Sequence, residues 1–560
     1  MVDEKDWTVM IYMAGDNNLS AEMAYALSDI RDIIGDGNDS LNLLVYYDSA
    51  VKKVPTVYCD FTDFGKPVYH ASKIFKKRFV RKSQDESEED DLQNSSNNQS
   101  NNENSASIFS VLNFIDWCVN DVEYEEDVNF EINGEIQKIH QGRKAKKYAL
   151  IFSGHGSAFQ NMSLMVDASS DYYMTIPKLR VALTQMTTST PALRGWEKFP
   201  LLLKQKIDIL GFDSCVMGMA EIGYEFRTFA KTMVASEGSI PSAGWKYGNV
   251  LRGIISKNDD SNEKAIATGF VKDFIEKQTE FLIGGVSVDL SAWDLTKIEP
   301  VIIALNNLGK NLLERLKLND DNSIRLKRAI LMSHWECQSY MTEHNVDLKD
   351  FCQLLSDNVR AIDDEKRGKS TVSKDCRKVI QAVDNCILLC GFSGGSFQYS
   401  NGISVFFPWT EVAYNQSKGD YEKLRVLQEK NNPAMKGEIP LANWNEFLQY
   451  FICTAAIRQP RNQVLSNDGI QIEGDTATQI YYPSKNSHIF NDKNNPLLGN
   501  DKNNQVLNDK NNHVLNDRNN QLLNDKGLQI FLMNQFKNVR NPWNIAGFTK
   551  DVSLKKANSK

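Results

Sequence analysis

Through the first half of the chain, strand-like runs that are apolar at every position alternate with segments whose apolar residues return every three or four positions. Thr8–Met13 is β-branched and apolar and ends in the turn-rich Ala14-Gly15-Asp16-Asn17-Asn18. Met23, Ala24, Leu27 and Ile30 then recur at helical spacing, with Ser20 placed to cap that helix. Leu41–Tyr47 is again apolar throughout and ends at Asp48. A strand with no polar face must be covered on both sides, and helices between such strands supply the cover. The alternation therefore predicts an α/β fold with a mostly parallel sheet between two helical layers.

The pattern continues through Ser107–Val119 (helical), Lys147–Ser153 (strand), Ile207–Phe212 (strand), Met217–Phe229 (helical) and Thr232–Ala235 (strand). Beyond residue 300 it turns helical at Ile302–Leu316, Ser323–Trp335 and Leu348–Val359, with strand-like runs at Val383–Cys390 and Ile403–Phe407. Two tracts break it. Residues 82–107 combine an acidic run (Asp85, Glu86, Glu88, Glu89, Asp90, Asp91) with Asn/Ser repetition and read as a solvated, disordered insertion. Asn-Asp-Lys-Asn-Asn occurs at Asn491, Asn500 and Asn508, returns with Arg518 at Asn516, and ends at Asn524. Its eight-residue period is too short for a helical or propeller repeat, and reads as low-complexity expansion. The expected division is a core at 1–300, a helical and β region at 301–460 completing the fold, and a tail at 461–560 with the repeats at 491–526.

Composition limits the partners. Among 560 residues, 64 basic side chains face 72 acidic ones, a net charge of −8 that argues against nucleic acid. No apolar run approaches the ~18 residues of a membrane helix, so no membrane partner is expected. The opening MVDEKDWTVMIYM lacks a basic start and an apolar leader stretch. A cytoplasmic protein is expected, or a secreted one if a leader has been removed. Nine scattered cysteines do not form a disulfide framework and favour a reducing compartment.

Of seven histidines, only His155 stands between two glycines directly after a buried-type strand. Cys215 likewise follows a strand and precedes a helical segment, whose positive end would favour thiolate. Parallel strands that end together would deliver one reactive side chain each to the same sheet edge, as a Cys/His pair requires. The bland alternatives are a hydrogen-bonded turn histidine and a small buried thiol. Cys376, Cys386 and Cys390 have no fourth ligand at a suitable spacing and read as core, so no metal ligands are assigned.

The motifs WTVMIYMAGDNNL (7–19), YALIFSGHGSAF (148–159), ILGFDSCVMGMAEIGYEFR (209–227), MVASEGSIPSAGWKYGNVL (233–251), VDLKDF (346–351) and SNGISVFFPW (400–409) together resemble the clostripain family of cysteine peptidases. That family belongs to the clan of caspases, legumains, gingipains and separase. The resemblance implies a caspase-like α/β/α sandwich and an endopeptidase acting on protein or peptide substrates, most simply as a monomer. It implies a His155–Cys215 dyad, with the backbone N–H groups of Gly156 and Cys215 as oxyanion hole. It also implies cleavage after Arg, or less readily Lys, at P1. Asp213 or Glu237 would supply the carboxylate for that side chain, unless specificity has drifted; Asp213 reads equally as a structural acceptor of turn N–H groups. Self-cleavage between the catalytic strands is implied, with Arg194 and Lys198 as candidate sites. The thiol chemistry requires no cofactor. Calcium dependence occurs in the family, but no recognisable calcium loop stands in this chain. The rival readings are a catalytically silent scaffold of the same fold, a peptidase with a non-basic P1 preference, and another amide or thioester hydrolase.

Overall fold

The computed structural model describes residues 4–455, apart from 34–40, 52–53, 64–66, 81–101, 124–129, 133–134, 138, 159–163, 189–200, 256–261, 277–286, 341–343, 361–370 and 431–436, together with strands 463–466 and 469–472. Candidate cleavage residues Arg194 and Lys198, most of the acidic insertion and the 491–526 repeats lie outside the described residues.

Nine strands make one sheet: β1 Lys5–Gly15, β2 Leu41–Ser49, β3 Val57–Asp60, β4 Val68–Ala71, β5 Ala145–Ser153, β6 Ile207–Asp213, β7 Ala230–Ala235, β8 Val288–Asp294 and β9 Ile387–Ser393. Their spatial order is β9-β8-β7-β6-β5-β1-β2-β3-β4. The central five, β2, β1, β5, β6 and β7, are mutually parallel, and antiparallel pairs close both flanks.

Side-chain alternation divides the sheet's two faces. Val9, Ile11 and Met13 of β1 point into one core with helices α1 (Ser20–Ile33), α5 (Tyr247–Ile255) and α6 (Glu263–Glu276). Met10, Tyr12 and Ala14 point into the other, with α2 (Ile108–Val119), α3 (Ile176–Thr187), α4 (Ala220–Phe226) and α7 (Ile298–Leu316). This is the expected α/β/α sandwich. The region past residue 300 contributes β9 to the sheet and α7 to the larger core, so it shares the core's packing. Among the described residues, no helix is long and apolar enough to cross a membrane.

Several local expectations need correction. Ser20 begins α1, but its hydroxyl meets Ser49 Oγ (2.9 Å) and accepts from Ala50 N; Asn17 Oδ1 takes the N–H of Leu19 instead. The apolar run Val383–Cys390 is split, because helix α8 (Val372–Cys386) ends inside it before β9 starts. Residues 102–107, assigned to the disordered insertion, are packed: Ser105 O accepts from the buried Tyr12 hydroxyl (2.8 Å), and Ser107 caps α2. Their polar composition hides that these side chains are used internally.

Candidate active site

Strand register brings the candidate residues together. Ser153 of β5 pairs with Met13 of β1 on one side and Asp213 of β6 on the other. His155 and Cys215 therefore each stand two residues beyond paired positions on neighbouring parallel strands. Gly154 N donates to Asp213 O (3.2 Å), holding the two strand ends together. The closest approach is at Gly156: a Cβ built there would lie 2.5 Å from Cys215 O and 3.1 Å from Cys215 N. Only glycine allows the His155 turn to rest on the backbone of Cys215 in this way. Among the described residues, no protein acceptor takes the backbone N–H of Gly156 or Cys215.

His155 is half-buried, and its Nε2 lies 2.6 Å from Asn18 Oδ1. An amide oxygen only accepts, so Nε2 carries the proton and Nδ1 keeps its lone pair. Asn18 belongs to the turn after β1. That turn is fastened to the segment following His155 by Asn17 Nδ2 donating to Val166 O (2.8 Å) and by Ala168 N donating to Asp16 O (2.7 Å). Met165 N in turn donates to His155 O (2.9 Å). Desolvation lowers the pKa of His155 below the ordinary imidazole value.

Cys215 is also half-buried. The helix-dipole argument does not hold for it: α4 begins only at Ala220 and is seven residues long. The sulfur accepts the N–H of Ile240 (3.3 Å) instead. Burial raises the thiol's pKa, the hydrogen bond at Ile240 opposes that, and the nearby Asp213 and Asp289 carboxylates add to the rise. Val216, next in sequence, has φ of 60°, a left-handed conformation that a β-branched residue rarely adopts. Its N–H is tied to Gly238 O (2.9 Å), and Gly218 N to Ser236 O (2.7 Å), so the surrounding structure holds the strained turn in place.

The two carboxylates named for P1 recognition differ in what occupies them. Asp213 is buried, and accepts from Trp245 N (3.1 Å), Ser153 Oγ (3.0 Å) and the Tyr247 hydroxyl (2.9 Å). Burial pushes its pKa to about 6 against these three donors. Glu237 is fully buried beside Asp289 and Asp347; its Oε2 accepts from Gly402 N (2.7 Å), while Oε1 has no protein donor.

Cys376 and Cys386 lie in the core and Cys390 on β9, with no metal-type cluster among them. His70, His140 and His334 are buried. Three groups escaped the sequence reading. Asn18 sits inside the quoted 7–19 motif, at the end of a strand, which was the available signal. The Ile240 N–H carries no side-chain signature. Asp16, Asp48 and Asp167, where no metal ligands were assigned, converge behind the His155 turn as the one group of oxygen donors among the described residues spaced to hold an ion.

Residues 11–444 match the profile of the family described as the clostripain family. The curated clostripain of Hathewaya histolytica is 23% identical over 449 residues, covering 73% of this chain and 76% of that protein. Two solved structures are also similar. One is an inactive zymogen C11 protease from Parabacteroides distasonis (17% identity, TM-score 0.47, 75% of this chain and 96% of that one). The other is a secreted C11 cysteine protease from Bacteroides thetaiotaomicron in complex with an irreversible peptide inhibitor (15% identity, TM-score 0.46, 80% and 99%).

Proposed function

Starting from the fact that this chain belongs to the clostripain family and is a cysteine-type endopeptidase, we propose that His155 and Cys215 are its catalytic pair and that it cleaves after Arg, or less readily Lys. The observation that carries the dyad is the seating of the His155-Gly156 turn directly on the backbone of Cys215. As Cys215 Sγ attacks the scissile carbonyl carbon, its proton passes to His155 Nδ1. The oxygen of the tetrahedral intermediate accepts from the N–H groups of Gly156 and Cys215, each worth about 3–4 kcal/mol of transition-state stabilisation. Collapse breaks the C–N bond, and His155 returns the proton to the leaving amine. His155 then takes a proton from the water that hydrolyses the thioester. Asn18 holds the ring in the tautomer this requires.

The basic P1 preference is supported by the excess of carboxylates around the nucleophile. Asp213 and Asp289 both act electrostatically on Cys215, and Glu237 lies in the segment that supplies the Ile240 N–H. Of the two named candidates, Glu237 is the better partner for a guanidinium, since one of its oxygens has no protein donor while Asp213 already serves three. The nine unpaired cysteines support a reducing compartment.

The test compares wild type, Cys215→Ala and Glu237→Gln on fluorogenic peptides with Arg, Lys, Asp or Asn at P1. Cys215→Ala should lose about 10⁴-fold or more of kcat/KM on every peptide. Glu237→Gln should lose activity selectively on Arg and Lys peptides. Wild-type turnover confined to Asp or Asn peptides, or an equal loss on all peptides in Glu237→Gln, rejects the P1 assignment. Activity surviving Cys215→Ala rejects the dyad.

A further inference from the structure

Helix Asp321–Glu336 carries apolar residues on two sides. Leu326, Ala329 and Ile330 are buried in the larger core, as the inner side of a packed helix requires. On the outer side, Ile324, Met332 and Trp335 are 53%, 53% and 61% exposed. Positions 324, 328, 332 and 335 follow one another at helical spacing and form one stripe about 17 Å long, interrupted by Arg328. At its end the ring of Trp335 meets Trp409 edge to face, with 5.9 Å between centroids. Val412, three residues further along the chain, is 67% exposed. Single exposed apolar residues need no explanation, but a stripe that ends in paired tryptophans marks a contact surface.

The chain itself returns to this stripe. Lys327 Nζ, from the middle of the helix, donates to Thr454 O (3.1 Å), at the end of helix Ala442–Ala455. Further on, strands Gln463–Ser466 and Gly469–Ile472 pair as an antiparallel hairpin, past residue 444 where the family match ends. Leu465 is opposite Ile470 and Gln463 opposite Ile472, so strand alternation places Leu465, Ile470 and Ile472 on one face of the hairpin. The other face holds Val464, Ser466, Gly469 and Gln471. Two strands alone are marginal in water, and a hairpin with one apolar face needs a surface against it.

We propose that the hairpin docks its Leu465, Ile470 and Ile472 face on the Ile324–Met332–Trp335 stripe. The lengths match, because strands of four residues span about 13 Å and lie within the stripe. The tether matches too. Nine residues lead from Thr454 to Gln463 (463 − 454), a reach of at most about 32 Å that covers the whole stripe from Lys327. So short a tether gives an effective concentration on the order of millimolar, at which even a weak contact is made. Charge agrees: Asp468, Glu473 and Asp475 stand in or beside the hairpin, and Arg325 and Arg328 are exposed along the stripe. The docking does not depend on the peptidase reading.

The experiment uses the full chain as Cys215→Ala, so that self-cutting cannot remove the tail, with the photo-cross-linker benzoylphenylalanine replacing Met332. Irradiation should give a cross-link within one chain, found by mass spectrometry in peptides covering residues 463–472. Ile470→Asp should lower its yield at least about tenfold, while Val464→Asp, on the opposite face, should keep it. Cross-links between two chains would assign the stripe to a second copy. Cross-links to the apolar run Leu528–Met533 would assign it to another part of the tail. Either result overturns the proposal, as does the absence of any cross-link or an unaltered yield in Ile470→Asp. Hydrogen exchange supplies a second measurement. Met332→Asp changes an exposed residue and leaves the hairpin's own sequence intact, yet should speed exchange of the amides of 463–472 at least about tenfold. Equal exchange with and without Met332→Asp would show a hairpin that owes nothing to the helix, and would overturn the proposal.

Discussion

Burial acts on His155 and Cys215 in one sense, against charge. Withdrawal from water penalises the imidazolium and the thiolate alike, so the ring's pKa falls and the thiol's rises. On the proposed dyad, attack starts from a neutral imidazole and a neutral thiol, and proton transfer accompanies it. The sign for pH dependence follows. His155 acts as base only when neutral, and its lowered pKa keeps it neutral as pH falls through the ordinary imidazole value of about 6.5. In kcat/KM against pH, which reports the free enzyme, the acidic limb should have its midpoint below about 6.5. No rise tracking thiol ionisation should appear between about pH 7 and 9. A midpoint above the ordinary value would mean a preformed thiolate–imidazolium pair and sink this account.

At the scale of elements, the nucleophile's surroundings depend on one side chain of β8. Asp289 accepts from Glu237 N (2.7 Å), Gly238 N (2.9 Å) and Ser236 Oγ (2.8 Å), fixing the extension of β7. That extension holds Val216 and Gly218 through its carbonyls and presents the Ile240 N–H to the sulfur. Asp289→Ala leaves two buried N–H groups without acceptors, at about 1–3 kcal/mol each. The variant should lose about 2–5 kcal/mol of stability by denaturant unfolding and, at temperatures where it remains folded, at least about tenfold in kcat/KM. Unchanged kcat/KM in folded protein would show that the turn holds its shape without this support. Sequence could not have pointed to Asp289, which acts through backbone groups more than fifty residues away. His155 and Cys215 were legible because each ends an unmistakable strand and parallel strands end together. Asn18, and the trio Asp16, Asp48 and Asp167, were not: they reach the site from separate strand ends, and only the lateral order of β2, β1 and β5 makes them neighbours. Of the two roles read for Asp213, sequence could not choose, since its donors Trp245 and Tyr247 come from more than thirty residues away.

On the scale of the whole molecule, the sheet has two poles, and they decide how self-processing at Arg194 or Lys198 can occur. Cys215 stands at the carboxyl pole of the parallel strands. Helix α3 returns the chain to the amino pole, where Leu203 N donates to Met186 O (2.8 Å) shortly before β6 starts at Ile207. The segment carrying the candidate bonds is thus anchored at Thr188 and Leu203, both at the pole opposite the nucleophile. The seven residues of β6 alone separate the poles by about 23 Å. Arg194 lies six residues from Thr188 (194 − 188) and Lys198 five from Leu203 (203 − 198), reaches of at most about 22 and 18 Å when fully extended. Both reaches fall short of that span, which weighs against either bond entering its own active site. We therefore expect processing at these residues to occur between molecules. Wild-type enzyme mixed with Cys215→Ala protein should cut the inactive chain at Arg194 or Lys198, identified by mass spectrometry. The apparent first-order rate of wild-type processing should rise with protein concentration. If the Cys215→Ala chain stays intact beside enzyme that processes itself at a concentration-independent rate, the cut lies elsewhere in the chain, within reach of its own nucleophile.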